Sequence, residues 1–120
     1  MGLYTDVIGK FEQNITQYLL IALILAPIGE ETIFRGLLLG YMLEETVNSW
    51  IAIIITAFLF SLTHMIPFFI ASITQQLFIL ISAFMMSITA GYLRKTSKSL
   101  LPAIITHAAF NLIGFIATFS

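Results

Sequence analysis

The chain has 120 residues, of which 59% are hydrophobic and only 9% charged, against about 45–50% and about 25% in soluble domains, and its mean hydropathy is +1.02. A soluble globular fold is therefore disfavoured. A formal net charge of -1 without an acidic or basic tail speaks against nucleic acid as a partner, and the absence of cysteine removes disulfides, thiolate zinc sites and a cysteine nucleophile.

Residues 1–14 read as an N-terminal segment that mixes Asp6, Lys10 and Glu12 with apolar positions. No small-residue cleavage site follows a short apolar core there, so the first span is expected to stay in the mature protein. Gly2 is followed by Asp6 where a myristoylation motif needs Ser or Thr. Residues 15–120 read as a single all-α unit, a polytopic bundle of about four transmembrane helices, since crossing about 30 Å of hydrocarbon takes about 20 helical residues. The expected location is multi-pass in a membrane, taken as the cell membrane, with the lipid bilayer as its surroundings.

The first apolar segment runs from about Ile15 to Tyr41 and contains Pro27, Gly29, Glu30, Glu31, Arg35, Gly36 and Gly40. It is predicted as one long, bent span buried among the others, because such breaking residues survive in a membrane helix where neighbouring protein re-satisfies the freed backbone groups. Glu44, Glu45 and Asn48 are read as the next loop. A second span starts at Trp50, an interface-type residue, and runs to Pro67, where a helix breaks or kinks. Ser72, Thr74, Gln75 and Gln76 suggest an interfacial connection, 77–93 is the third span, and the fourth runs from Leu100 to Phe119 after a basic loop of Arg94, Lys95 and Lys98. That loop holds three of the five Lys and Arg residues, so the positive-inside rule puts it in the cytoplasm and the N-terminus outside.

Glu30, Glu31, Arg35, His64 and His107 lie within these apolar segments, with Asn111 as a polar companion. A charged side chain at a helix centre costs about 2.5–3.5 kcal/mol on the insertion scale, so such groups usually face the bundle interior and mark a site. Glu31 and Arg35 are four apart, on one helix face where they can pair, and His107 and Asn111 share that spacing. Counted from the proposed cytoplasmic ends at 1.5 Å per residue, Glu30, His64 and His107 lie roughly 16, 21 and 10 Å deep. All three are within the hydrocarbon, and one shared polar cavity is expected. A glutamate in such a pocket can take a proton from water, a histidine can share that work, and a second histidine with a carboxamide can donate to the oxyanion of an attacked amide. Peptide hydrolysis fits this inventory.

The order of these motifs resembles the CAAX protease and bacteriocin-processing family of intramembrane proteases. Glu30-Glu31-Thr32-Ile33-Phe34-Arg35 is similar to its EExxxR element, Phe60 to His64 to its FxxxH element, and His107 to Asn111 to its HxxxN element. The stretch from Gly91 to Asn111 also resembles the family's glycine, basic loop, Ser-Leu and closing histidine helix. The resemblance implies that Glu30 activates water with help from His64, that His107 and Asn111 stabilise the oxyanion, and that Glu31 and Arg35 orient the site. The implied substrate is a membrane-associated peptide or protein. Glutamate-type and metal-dependent mechanisms both remain open, since Glu30, His64 and His107 would give zinc three ligands and an open water position. One departure is that family members usually carry further spans before EExxxR, where this chain has almost nothing.

Plainer readings stand beside these. Glu31 and Arg35 can be a purely structural ion pair, and Asn111 can be interhelical glue worth about 0.6 kcal/mol. Two other functions use the same residues. An ion or proton pathway is lined by similar chains of carboxylates and histidines, although no paired, interrupted halves appear. A non-catalytic binding or immunity protein would keep the scaffold without the activity.

Overall fold

The computed structural model of the protein describes residues 14–45, 48–66 and 70–119. Among them are four helices and no strand, as expected for an all-α bundle. We number them α1 (Asn14–Glu45), α2 (Ser49–Met65), α3 (Ile73–Ser97) and α4 (Leu101–Phe119). The expectations for residues 1–13, including Lys10, and for a break at Pro67 lie outside the described residues.

Helix α1 runs unbroken through all the residues that led the sequence to suggest interruptions. It does so by widening twice into π-helix, over Ile21–Leu25 and Thr32–Leu38, where the Ala26 N–H reaches back to Ile21 O and the Leu39 N–H to Phe34 O. The first π turn directly precedes Pro27, whose ring would otherwise meet the carbonyl four residues earlier. The second follows Glu31. Single π turns of this kind recur at functional sites because they rotate the residues on either side relative to each other.

The other boundaries follow from local caps. Glu44 and Glu45, expected in a loop, close α1, while the Asn48 side chain caps α2 by accepting from the N–H groups of Trp50 and Ile51. Thr74, Gln75 and Gln76 belong to the first turn of α3 and not to a connection. Ser72 and Gln75 form a reciprocal capping box there, which starts the helix before the apolar run begins. At its other end α3 continues past the apolar run, so Arg94 and Lys95 are helical and only Lys98 leaves the helix, in a left-handed conformation with φ 58°. Cations in a last turn face the unpaired carbonyls there, which favours this continuation.

The packing is inverted relative to a soluble protein. Buried positions on α2 are Ala52, Ile53, Thr56, Ala57, Phe60 and Ser61, a stripe at helical spacing. It meets the small-residue stripe of α3, which includes Ala83, Ser87, Ala90 and Gly91. Gly91 suits this close approach, because a Cβ there would lie 3.0 Å from Ile53 Cγ2 and the Ile53 side chain would have to give way. Glu31, Arg35, Ser87 and His107 are fully buried, while Ile21, Leu25, Ile54, Phe58, Ile81, Met85, Ile105 and Ile113 are exposed. An apolar exterior around a polar interior suits lipid as solvent. Helices α1 and α3 are long and apolar enough to cross a membrane, and α2 and Leu101–Ala117 are shorter apolar helices.

Candidate active site

The site is assembled from the middle of α1, the end of α2, one serine of α3 and the second turn of α4. Glu30 and Glu31 are neighbours on a helix, so their side chains diverge by about 100° at 3.6 residues per turn. They serve different surroundings.

Glu31 points inward. Its Oε1 accepts from Arg35 Nη1 at 3.1 Å and lies 2.8 Å from His107 Nδ1, and all three side chains are at most 1% exposed. Arg35 also donates through Nη2 to Ser87 Oγ on α3, and its guanidinium lies 4.5 Å from the centroid of the Phe60 ring. Phe60 in turn sets its edge contacts against His107 and Phe34. One guanidinium is thus held by a carboxylate, a hydroxyl and an aromatic face, which spans α1, α2 and α3. The role of Phe60 in an FxxxH element is physical, because it carries both the cation and the two imidazoles.

Glu30 points to the partly open side, with its side chain 37% exposed. Its Oε2 lies 3.2 Å from His107 Nε2 and 3.5 Å from His64 Nε2. These distances fall well within the roughly 8 Å, two hydrogen-bonded water steps, expected for a shared water. Neither approach has hydrogen-bond alignment, and Glu30 Oε2 is buried without a partner among the described residues.

The opposite ring nitrogens assign the tautomers. His64 Nδ1 faces the Phe60 carbonyl at 3.1 Å and His107 Nδ1 faces the Glu31 carboxylate, so each Nδ1 carries a hydrogen and donates it. Both Nε2 atoms are therefore directed at Glu30 Oε2 with their lone pairs, unless a further proton sits between them. Charge points the same way. Two carboxylates against one guanidinium leave one negative charge in a largely water-free layer, and one proton or one bound cation would offset it.

Asn111 lies one turn after His107 on α4 and makes a contact that its spacing does not suggest. Its Nδ2 donates to Ala22 O at 2.7 Å, inside the first π turn of α1. The carboxamide therefore ties α4 to a carbonyl that the widened turn frees. Ser87 is the site residue that the sequence reading missed. A small-residue stripe of Ala83, Ser87 and Gly91, four apart, marks α3 as a packing face, but nothing in that pattern names Arg35 as the partner.

Fold and site together define an all-α bundle with an apolar exterior, built around a buried carboxylate–imidazole centre. The chain belongs to the family described as type II CAAX prenyl endopeptidase Rce1-like, whose match covers residues 12–113. This is a family of membrane-integral proteases of the CAAX type, acting on membrane-associated protein substrates. No curated protein and no solved structure matches the chain significantly.

Proposed function

We propose that this chain is a multi-pass enzyme of the cell membrane, with residues 15–120 acting as one unit, and that it hydrolyses a peptide bond of a membrane-associated peptide or protein with water activated at Glu30. The observation that carries this reading is the convergence of Glu30 Oε2, which has no hydrogen-bond partner among the described residues, with His64 Nε2 and His107 Nε2 on one partly open point. A water there can give one hydrogen to Glu30 and the other to His64 Nε2, leaving a lone pair for a substrate carbonyl carbon. As its oxygen bonds to that carbon, its proton passes to Glu30. In this step the one extra proton that offsets the site's negative charge sits on His107 Nε2, where it meets the oxyanion, and Glu31 supports the resulting imidazolium from the other side of the ring. Collapse breaks the C–N bond, and Glu30 returns its proton to the departing amine.

In this reading Arg35 and Ser87 fix Glu31, and Glu31 fixes His107. Asn111 has one N–H committed to Ala22 and one left for the oxyanion. The test is cleavage of a membrane-inserted peptide in water enriched in oxygen-18. One heavy oxygen in the new carboxylate of wild type, and no cleavage by Glu30→Gln, is the expected result. Cleavage that persists in Glu30→Gln contradicts it.

The tautomers also favour a second reading, in which Glu30, His64 and His107 hold a divalent cation such as zinc. Histidines that bind metal commonly donate their other N–H to a carboxylate or backbone carbonyl, as both do here. The three ligand atoms lie within 4.8 Å of one another, and tetrahedral ligands about 2.0–2.1 Å from zinc are about 3.3 Å apart. Bound zinc would supply a more acidic water. Metal content after purification, and a zinc-dependent rise in Tm that His64→Gln and His107→Gln both abolish, test this separately from activity. A metal-free, chelator-resistant protein with unequal losses in the two variants contradicts it.

A further inference from the structure

At the end of the bundle carrying the α3–α4 turn lies a cavity of about 730 Å³, lined among others by Gly40, Glu44, Ser49, Arg94, Lys95 and Lys98. None of the carboxylates or imidazoles of the candidate active site reaches it. Three of the chain's five Lys and Arg residues do. Glu44 is the one acid lining it, and among the described residues no ion pair joins Glu44 to any of these cations. Arg94 Nε is buried and has no hydrogen-bond partner among the described residues. A buried guanidinium N–H without a partner is unfavourable, and an acceptor bound beside it relieves that.

Compensation of the α3 carbonyls explains cations in a last turn, yet it does not explain a cavity or an open Nε beside them. The surroundings are those of a membrane interface. Trp50 stacks on Tyr92 with centroids 5.8 Å apart, and Lys95 Nζ lies 5.7 Å from the Trp50 ring centroid. Aromatic rings of this type sit at headgroup level. Gly40 lines the cavity next to Arg94, where a Cβ would lie 3.9 Å from Nη2, in ordinary van der Waals contact, so that only a longer side chain would enter the space between them.

We propose that this cavity binds a phosphate-bearing anion, either the headgroup of an anionic phospholipid or free phosphate, between the Arg94 guanidinium and the Lys98 ammonium. A planar guanidinium offers paired N–H groups to phosphate oxygens. Basic pockets between helices at this level of a membrane are suited to anionic headgroups. The site is independent of the proteolytic reading.

Trp50 is the chain's single tryptophan, and it reports on the site directly. The full chain is placed in phosphatidylcholine bilayers containing brominated phosphatidylglycerol or brominated phosphatidylcholine, and quenching of Trp50 is measured. A binding preference for the anionic lipid of about fivefold, the contribution of one cation near a charged surface, is expected in wild type. Arg94→Gln removes the guanidinium, and Gly40→Leu fills the cavity without changing charge. Both should bring the preference close to one, with the far-ultraviolet dichroism of wild type. In a second arm, inorganic phosphate is titrated into plain phosphatidylcholine bilayers at constant ionic strength. A saturable change in Trp50 emission, lost in both variants, with equal quenching by the two lipids, assigns the site to the free anion. A lipid preference that survives in Gly40→Leu means that it comes from the field of the basic end and overturns the proposal. So does equal quenching by the two lipids in wild type with no response to phosphate.

Discussion

The bundle contains two clusters of charged side chains, and their charges are handled in opposite ways. Around Glu31 the carboxylate, the Arg35 guanidinium and the His107 imidazole are paired with one another and sealed from the surroundings. At the end of α3, Arg94, Lys95 and Lys98 face a cavity with no ion pair among them and Glu44. The difference follows from depth. In the apolar interior an unmatched charge costs several kcal/mol, so the charges that persist there are paired, although Glu31 Oε2 and Arg35 Nε make no hydrogen bond among the described residues. At the interface water and headgroups can solvate a cation, so a cluster can stay unmatched and remain free to receive a ligand. Glu30 and His64 stand between these regimes, partly exposed and not yet hydrogen-bonded to each other. That is where chemistry with an outside molecule belongs.

Substitutions in the inner cluster should therefore cost far more than those at the end. After Glu30 itself, the largest effect is expected at His64, where Gln keeps a polar, hydrogen-bonding side chain but loses the titrating imidazole that shares the proton. Turnover of a membrane peptide should fall by roughly 10²–10⁴ at unchanged yield. Arg35→Ala should cost about 3–5 kcal/mol, because it leaves Glu31 buried without its cation. Thermal unfolding in detergent should show it, together with a lower yield of protein. A variant of normal Tm that lacks only activity would move Arg35 from support into the reaction. His107→Ala removes an oxyanion donor and should lower turnover by about 10²–10³. His107→Gln, still able to donate, should be milder. Ser87→Ala, which takes one acceptor from Arg35, should cost about 1–3 kcal/mol in the same melts. The smallest change should come from Arg94→Gln, within about 0.5 kcal/mol of wild type in stability and unchanged in peptide turnover.

Much of this contrast was legible in the sequence. Glu30, Glu31, Arg35, His64 and His107 stand out because ionisable residues are rare in apolar spans, and the four-residue spacing of Glu31 and Arg35 already implied their pairing. The four helices followed from the lengths of apolar runs. The two π turns were not visible, since no residue pattern distinguishes a widened turn from a break at Pro27 or Gly36. For the same reason the partner of Asn111 was missed, because Ala22 O is available to it in the widened first turn. Hydropathy also misplaced both ends of α3. A capping box of polar residues started the helix early, and cations able to face the last carbonyls extended it into what composition marked as a loop. Ser87 lay hidden among other small residues on a packing face, where sequence spacing identifies the face but not its partner.

The central claim is that Glu30, the more open of the two adjacent carboxylates, activates water for peptide hydrolysis while Glu31 only supports it. The most direct measurement compares wild type, Glu30→Gln and Glu31→Gln, purified in the same bilayer, for cleavage of one membrane-inserted peptide library alongside their Tm values. Glu30→Gln should have no detectable cleavage and a Tm close to that of wild type. Glu31→Gln should melt lower, because it weakens the contacts to Arg35 and His107, and should keep measurable cleavage below its Tm. Full cleavage by Glu30→Gln, or loss of all cleavage in a Glu31→Gln protein of normal Tm, would contradict the assignment.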